Sequence, residues 1–197
     1  MTALTSAPPG AAGDAAAVCA AVLDTAQRPV EQALSLPAAA YTDPAYYQWE
    51  QEHVFRREWV ALCHETQLAE VGDYMTVDLA GEPLVVTRGH DGQLRVLSRV
   101  CRHRAMDICP KGFGRDERGN TRVLLCPYHY WGYGLDGQLK GCPEMHRAEG
   151  FNRRDVALHE FPSERFAGFL FVNLSGDAPP LREKLAGLDE KFLSRWS

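Results

Sequence analysis

Two short stretches, Cys101-Arg102-His103-Arg104 and Cys126-Pro127-Tyr128-His129, each set a cysteine and a histidine within one loop tip. Together they offer two thiolates and two neutral imidazoles. Mixed donors, one of each type from each loop, suit a two-iron, two-sulfide cluster with one sulfur-ligated and one nitrogen-ligated iron. Such a site constrains the fold, because two loops well separated in sequence must meet tip to tip on a rigid scaffold. The chemistry implied is single-electron transfer.

A structural zinc ion is the other metal that two cysteines and two histidines can hold. Zinc motifs commonly pair Cys with Cys over a short gap and His with His over a longer one, whereas each pair here mixes the types. The spacing favours the cluster, with zinc and a chance gathering of Cys and His in loops left as alternatives. Six cysteines are even in number, which permits a disulfide framework. Cys19, Cys63, Cys109 and Cys142 follow no framework pattern, however, and are expected to pack as small inert hydrophobes. Cys109 is the one to watch, because it lies between the ligand pairs.

A net charge of −5 without a Lys/Arg run argues against nucleic acid or an anionic membrane as partner. No apolar window reaches the length of a membrane-spanning helix. The Ala-rich start lacks the basic opening of a signal peptide. A reducing cytoplasm is the expected setting.

Residues 1–40 read as an Ala-rich, flexible segment. Asp43-Pro44 is a helix start, with Asp43 as N-cap and Pro44 at the first helical position. A helix is expected over 44–57 within a helical arm spanning 41–67, with Tyr47, Trp49 and Phe55 on or beside its packing face. From Gly72 the pattern turns to β, with runs at 74–79, 84–88 and 94–100 separated by the turn signals Ala80-Gly81 and Asp91-Gly92. The run 122–125 leads into Cys126, and Asp136-Gly137 marks a further hairpin. Both ligand pairs are therefore expected at strand ends.

Runs 156–161 and 166–173 read as a closing strand pair with Gly168 inside the second. Beyond Pro179-Pro180, apolar residues at Leu181, Leu185, Leu188, Phe192 and Leu193 have helical spacing. No internal repeat is visible past the Ala-rich start. The expected architecture is mainly β: an antiparallel domain over 68–176, a helical N-terminal arm, and a C-terminal amphipathic helix over 177–197.

At this point the chain resembles a known family, the N-terminal Rieske [2Fe-2S] domain of the large (α) subunits of Rieske non-haem iron, ring-hydroxylating and related oxygenases. Cys101-Arg102-His103-Arg104 and the run from Cys126 through Pro127, Tyr128, His129, Tyr130, Trp131 and Gly132 to Tyr133 look like that family's two cluster loops. Asp136-Gly137-Gln138-Leu139 looks like the hairpin that follows, and residues 41–59 resemble its helical arm. The resemblance covers about residues 41–176. It implies a Rieske-type fold with Cys101 and Cys126 on one iron and His103 and His129 on the other. Trp131 and Arg104 read as a packing aromatic and a surface charge beside that site.

The motif is also similar to that of high-potential respiratory Rieske proteins, which add a disulfide between the loops. Met106 and Tyr128 stand at the matching positions, so that brace is absent. Replacing two thiolates by imidazoles removes about two negative charges from such a cluster, and without the brace a midpoint near the low end of the Rieske range is expected, about −150 mV. Each histidine keeps one ring N–H, which is released more easily from the oxidised state. The midpoint is therefore expected to fall as pH rises through the oxidised-state histidine pKa values, and a pH-independent midpoint across the alkaline range would contradict this.

Two departures from the family matter. The connection between the ligand pairs is several residues longer than usual, and Gly112, Gly114, Arg115, Asp116, Glu117 and Arg118 mark an exposed excursion. The second departure is functional. Family α subunits continue into a domain where two His and a carboxylate hold a mononuclear Fe(II), and His53, His64, His90, His146 and His159 form no such set. The resemblance therefore implies an oxidoreductase subunit with no catalytic residues of its own.

The expected role is the electron-transfer component of a split non-haem iron oxygenase. It would pass electrons from a reductase or ferredoxin to a mononuclear iron on a catalytic partner chain within a hetero-oligomer. A stand-alone Rieske ferredoxin-type carrier is the alternative, and a truncated or degenerate α subunit is a third.

Overall fold

In the computed structural model, residues 13–110, 112 and 116–188 are described. The chain divides into two compact units, Met1–Arg57 and Glu58–Ser197. The first is helical: α1 (Gly13–Gln27), α2 (Ala39–Thr42) and α3 (Pro44–Glu50). Residues 13–27, read from sequence as part of a flexible segment, are thus corrected to a helix. Alanine is the best helix former, and Ala15, Val18, Cys19 and Val22 repeat at the spacing that places them on one face. Val18 and Cys19 pack with Tyr46 and Trp49 of α3.

Asp43 caps α3, its Oδ1 accepting from the N–H groups of Ala45 and Tyr46 at 2.8 and 2.9 Å. The helix then loosens into a π-helical turn, Gln51–Phe55, whose last backbone bond runs from Arg56 N–H to Gln51 O at 3.0 Å. Tyr46, not the expected Tyr47, enters the core, and Tyr47 is 62% exposed. The register of the helix puts positions 46 and 49 on one face and turns 47 away. The arm also ends earlier than expected, at Arg57, because residues 60–64 belong to the β unit as a strand.

The second unit is built from antiparallel strands: β1 (Val60–His64), β2 (Asp73–Leu79), β3 (Glu82–Arg88), β4 (Leu94–Ser98), β5 (Arg118–Asn120), β6 (Leu124–Leu125), β7 (Gly132–Tyr133), β8 (Leu139–Gly141), β9 (Glu160–Phe161), β10 (Ser163–Phe166) and β11 (Phe169–Val172). They form three sheets ordered β5-β2-β3-β4-β9, β1-β11-β10 and β6-β7-β8.

The inner strands of the five-stranded sheet, β2, β3 and β4, bury side chains on both faces. Strand alternation sends Tyr74, Val85 and Leu97 into one core with Leu124, Trp131 and Tyr133. Their neighbours Met75, Leu84, Val86 and Val96 enter a second core with Leu170 and Val172. The central sheet is therefore a rigid partition, and the small β6-β7-β8 sheet sits over one face of it.

Two expectations for the closing strands need correction. Gly168 lies in the turn between β10 and β11 rather than inside a strand, with Ala167 and Gly168 both at positive φ. The segment 156–161 does not pair with 166–173; β9 pairs β4, while β11 pairs β10 and β1. The long connection carries an edge strand, β5, which adds to β2. Of the expected C-terminal helix, α4 (Leu181–Lys184) is described, with Leu181 buried and Lys184 paired to Glu58 at 2.7 Å. Phe192 and Leu193 lie outside the described residues.

A short repeat also becomes visible. Gly89-His90-Asp91-Gly92-Gln93-Leu94-Arg95 and Gly134-Leu135-Asp136-Gly137-Gln138-Leu139-Lys140 fold into matching turns. In each, the aspartate accepts from the glutamine N–H at 3.1 Å and pairs with the cation at the end of the motif, at 2.6 Å for Arg95 and 2.9 Å for Lys140. Gly92 and Gly137 adopt φ of 75° and 77°, a conformation that favours glycine. One turn joins strands of the central sheet and the other joins β7 to β8.

Candidate metal centre

The two Cys/His loops are built alike. In each, the cysteine N–H donates to the carbonyl five residues on: Cys101 to Met106 at 2.9 Å and Cys126 to Trp131 at 2.8 Å. The N–H of residue i+4 returns to the cysteine carbonyl, from Ala105 at 2.9 Å and Tyr130 at 3.0 Å. Closing the loop this way forces the fourth residue after each cysteine into the left-handed region, at φ 54° for Ala105 and 58° for Tyr130. Both are residues with a Cβ, so both carry backbone strain.

Tyr130 is 63% exposed, so its ring gives little back in packing. Tyr130→Gly is expected to stabilise the fold by about 0.5–1 kcal/mol in denaturant unfolding, strain relief exceeding the entropy glycine adds to the unfolded chain. A loss of stability would show that the exposed ring makes contacts that matter.

The four predicted residues come together as two pairs, thiol with thiol and imidazole with imidazole. Cys101 and Cys126 are buried, at 2% and 1% exposed, in the core shared with Trp131 and Tyr133. The imidazoles of His103 and His129 meet edge to face, with centroids 4.7 Å apart. Trp131 stacks flat on His103 at 4.7 Å and 8°, and Tyr128 leans on His129 at 3.7 Å. Both histidine Nδ1 atoms are buried without a hydrogen-bond partner. Two orphaned buried acceptors in adjacent rings fit a pair of metal ligands, since a buried polar atom otherwise finds a partner.

Among the described residues, no three His, Cys, Asp or Glu side chains gather as the ligands of a single ion would. A tetrahedral zinc needs all four donors about one point. Two irons bridged by sulfide take their donors in two pairs, which fits this arrangement.

Burial disfavours charge on His103, Cys126 and Tyr133. Burial, then the neighbouring His129 and Arg104, hold the His103 pKa below its ordinary value. Burial pushes the Cys126 thiol up, opposed by the backbone N–H groups of Tyr128 and His129. Burial, then its bond to Cys101, raises the Tyr133 phenol. That hydroxyl sits 3.3 Å from Cys101 Sγ and accepts from Arg102 N–H at 3.0 Å. A neutral imidazole is ready to ligate, and a cation binding here would displace the thiol protons.

Tyr133 and Arg99 are the site residues that sequence reasoning did not single out. Tyr133 appeared only as the end of a motif. The sole signal for Arg99 is a charge in the apolar run Leu97-Ser98-Arg99-Val100 before Cys101.

The remaining cysteines and histidines have other settings. Cys19, Cys63 and Cys109 are buried and Cys142 is half-buried. His53 stacks on Trp49, His64 caps a short 3-10 helix, and His159 packs edge-on against Phe161. His90 and His146 are exposed. No helix among the described residues is long and apolar enough to cross a membrane.

Residues 58–162 match the Rieske [2Fe-2S] domain. The chain belongs to that family. A Rieske domain holds a [2Fe-2S] cluster, and the four donors described above fit one. The chain is 34% identical over 163 residues to the carnitine monooxygenase oxygenase subunit of Escherichia coli K12, an alignment covering 83% of this chain and 42% of that one. It is 36% identical over 159 residues to the biphenyl 2,3-dioxygenase α subunit of Rhodococcus jostii RHA1, covering 80% and 34%.

Among solved structures, the quaternary ammonium Rieske monooxygenase CntA matches with a TM-score of 0.70 at 31% identity, over 81% of this chain and 45% of that one. Naphthalene 1,2-dioxygenase matches with a TM-score of 0.67 at 32% identity, over 77% and 34%. The relatives are oxygenases, and the chain spans roughly a third to under a half of their length.

Proposed function

We propose that this chain is the electron-relay component of a non-haem iron oxygenase, taking single electrons from a reductase or ferredoxin and delivering them to a mononuclear iron on a partner chain. In this reading Cys101 and Cys126 hold one iron of the cluster, and His103 and His129 hold the other through Nδ1. The observation that carries it is the pair of buried, unpartnered Nδ1 atoms, on loops that each also carry a buried thiol.

When bound, the cluster supplies reversible one-electron transfer. The protein's part is to hold and shield it. Trp131 fixes the plane of the His103 ring, the central sheet anchors the first loop and the β6-β7 hairpin the second, and burial of the thiols keeps water from the sulfurs. A mononuclear oxygenase iron takes two histidines and a carboxylate, and no such trio gathers among the described residues. That supports an acceptor iron held outside the described residues. A module shared by a carnitine monooxygenase and a biphenyl dioxygenase serves the electron, not the choice of substrate.

Co-purification with a catalytic chain, and oxygen-dependent turnover only when both are present, are the expected results. Full turnover by the partner alone would refute the reading. Efficient reduction of an unrelated oxygenase by a monomeric chain would instead favour a free carrier.

Tyr133→Phe tests the environment of the sulfur. A hydroxyl donating to Cys101 Sγ stabilises the electron-rich, reduced state. Losing a differential of about 1 kcal/mol corresponds to a fall of roughly 40 mV for one electron. Redox titration of the variant should find that fall, and an unchanged midpoint would mean that the hydroxyl serves only the Arg102 N–H.

A further inference from the structure

The two ligand loops differ in how their stems are held. The second closes a regular hairpin, with Leu124 paired to Tyr133 and Leu125 to Gly132. The first has only an isolated bridge between Val100 and Asp107. One more backbone bond, from Ile108 N to Arg99 O at 2.9 Å, extends that stem by a step, and Arg99 N–H donates to Pro83 O on β3 at 2.8 Å. No disulfide between the loops braces it, because Met106 and Tyr128 stand where its cysteines would be.

A buried cation stands where the brace is missing. Arg99 is 6% exposed. Its guanidinium donates to Asp78 on β2 and lies 3.5 Å from Asp107 Oδ2 on the returning side of the loop. Asp107 in turn accepts from Cys109 N–H through Oδ1 at 2.8 Å. One side chain thus ties both sides of the stem to the central sheet. Burying arginine is costly even when it is paired, and here Nε is left buried without a partner. An apolar side chain would fill the same space without that cost, so mere packing does not account for the residue.

We propose that Arg99 is the positioning residue of the cluster. It clamps the first ligand loop through Asp107 and Asp78, in the place a disulfide would take, and its fixed positive charge favours the reduced cluster. The inference rests on the ligand assignment proposed above. Arg99 acts on the cluster through the loop that carries Cys101 and His103.

The test uses the full-length holoprotein and three variants, R99M, R99K and D107N. Readouts are the rate of cluster loss to a chelator, the electron paramagnetic resonance g-values of the reduced form, and the midpoint potential. R99M should lose its cluster at least about tenfold faster, the scale seen when groups supporting metal ligands are removed, with shifted g-values and a lower midpoint. R99K keeps the charge but not the planar fork, so its cluster loss should accelerate while its midpoint stays near wild type. D107N should accelerate loss without lowering the midpoint.

Wild-type values for all three readouts in R99M would overturn the proposal. If R99M does not fold, wild-type loss rates in both R99K and D107N would overturn it. A wild-type protein without iron and sulfide would overturn the ligand reading and this proposal together, whereas holoprotein with unaffected variants would overturn this proposal alone.

Discussion

Cys126→Ser protein is expected to purify folded but without iron or acid-labile sulfide, and without the visible absorbance of the cluster. The thiolate is the ligand, and a serine hydroxyl in the same buried position does not ionise to replace it. The backbone N–H groups of Tyr128 and His129 that face the sulfur can donate to a serine oxygen instead, so the fold has no reason to fail. Cys101→Ser should behave alike. Removing either imidazole should empty the cluster or alter its spectrum.

The stringent control is Cys109→Ala. Cys109 is 5% exposed and packed in the same core as Cys101 and Cys126. It should keep a full complement of iron and sulfide. Full iron and sulfide in Cys126→Ser, or their loss in Cys109→Ala, would reassign the ligands.

The site was legible in sequence because its chemistry is local. A cysteine and a histidine within a few residues of each other are visible without knowing the fold, and two such pairs define a donor set. The strands 74–79 and 84–88 were legible for a similar reason: turn residues at Ala80-Gly81 separate two β-rich runs, and the structure pairs Tyr74 through Leu79 against Glu82 through Thr87.

What escaped was tertiary. The helix Gly13–Gln27 buries alanine, valine and cysteine, a stripe too small to stand out from low complexity. β1 and β5 exist because neighbouring strands offer them an edge, which no local pattern announces. The same holds for Arg99 and for the Tyr133 hydroxyl. Their partners Asp78, Asp107 and Cys101 are brought to them by the sheet, and a buried polar contact of that kind leaves little mark in sequence.

Trp131→Ala is expected to cost about 3–5 kcal/mol of stability, the range for removing a large aromatic side chain from a core. Trp131 is 4% exposed, stacked flat on His103 and tilted against Phe151 at 5.8 Å. For a chain of this size the melting temperature should fall by at least about 6 °C, at roughly 2 °C or more per kcal/mol. Denaturant unfolding should show the loss with the m-value unchanged.

Two milder substitutions divide the cost. Trp131→Leu keeps an apolar filler but no ring, and Trp131→Phe keeps a ring of smaller area. Ring stacking is worth about 0.5–1.5 kcal/mol beyond area, so Phe should retain more stability than Leu. If the stack also orients His103 toward the iron, Leu should lose the cluster faster than Phe in the holoprotein. Equal rates of cluster loss in Leu and Phe would assign Trp131 to packing alone. A cost below about 1 kcal/mol for Trp131→Ala would contradict the core described for the β6-β7-β8 sheet.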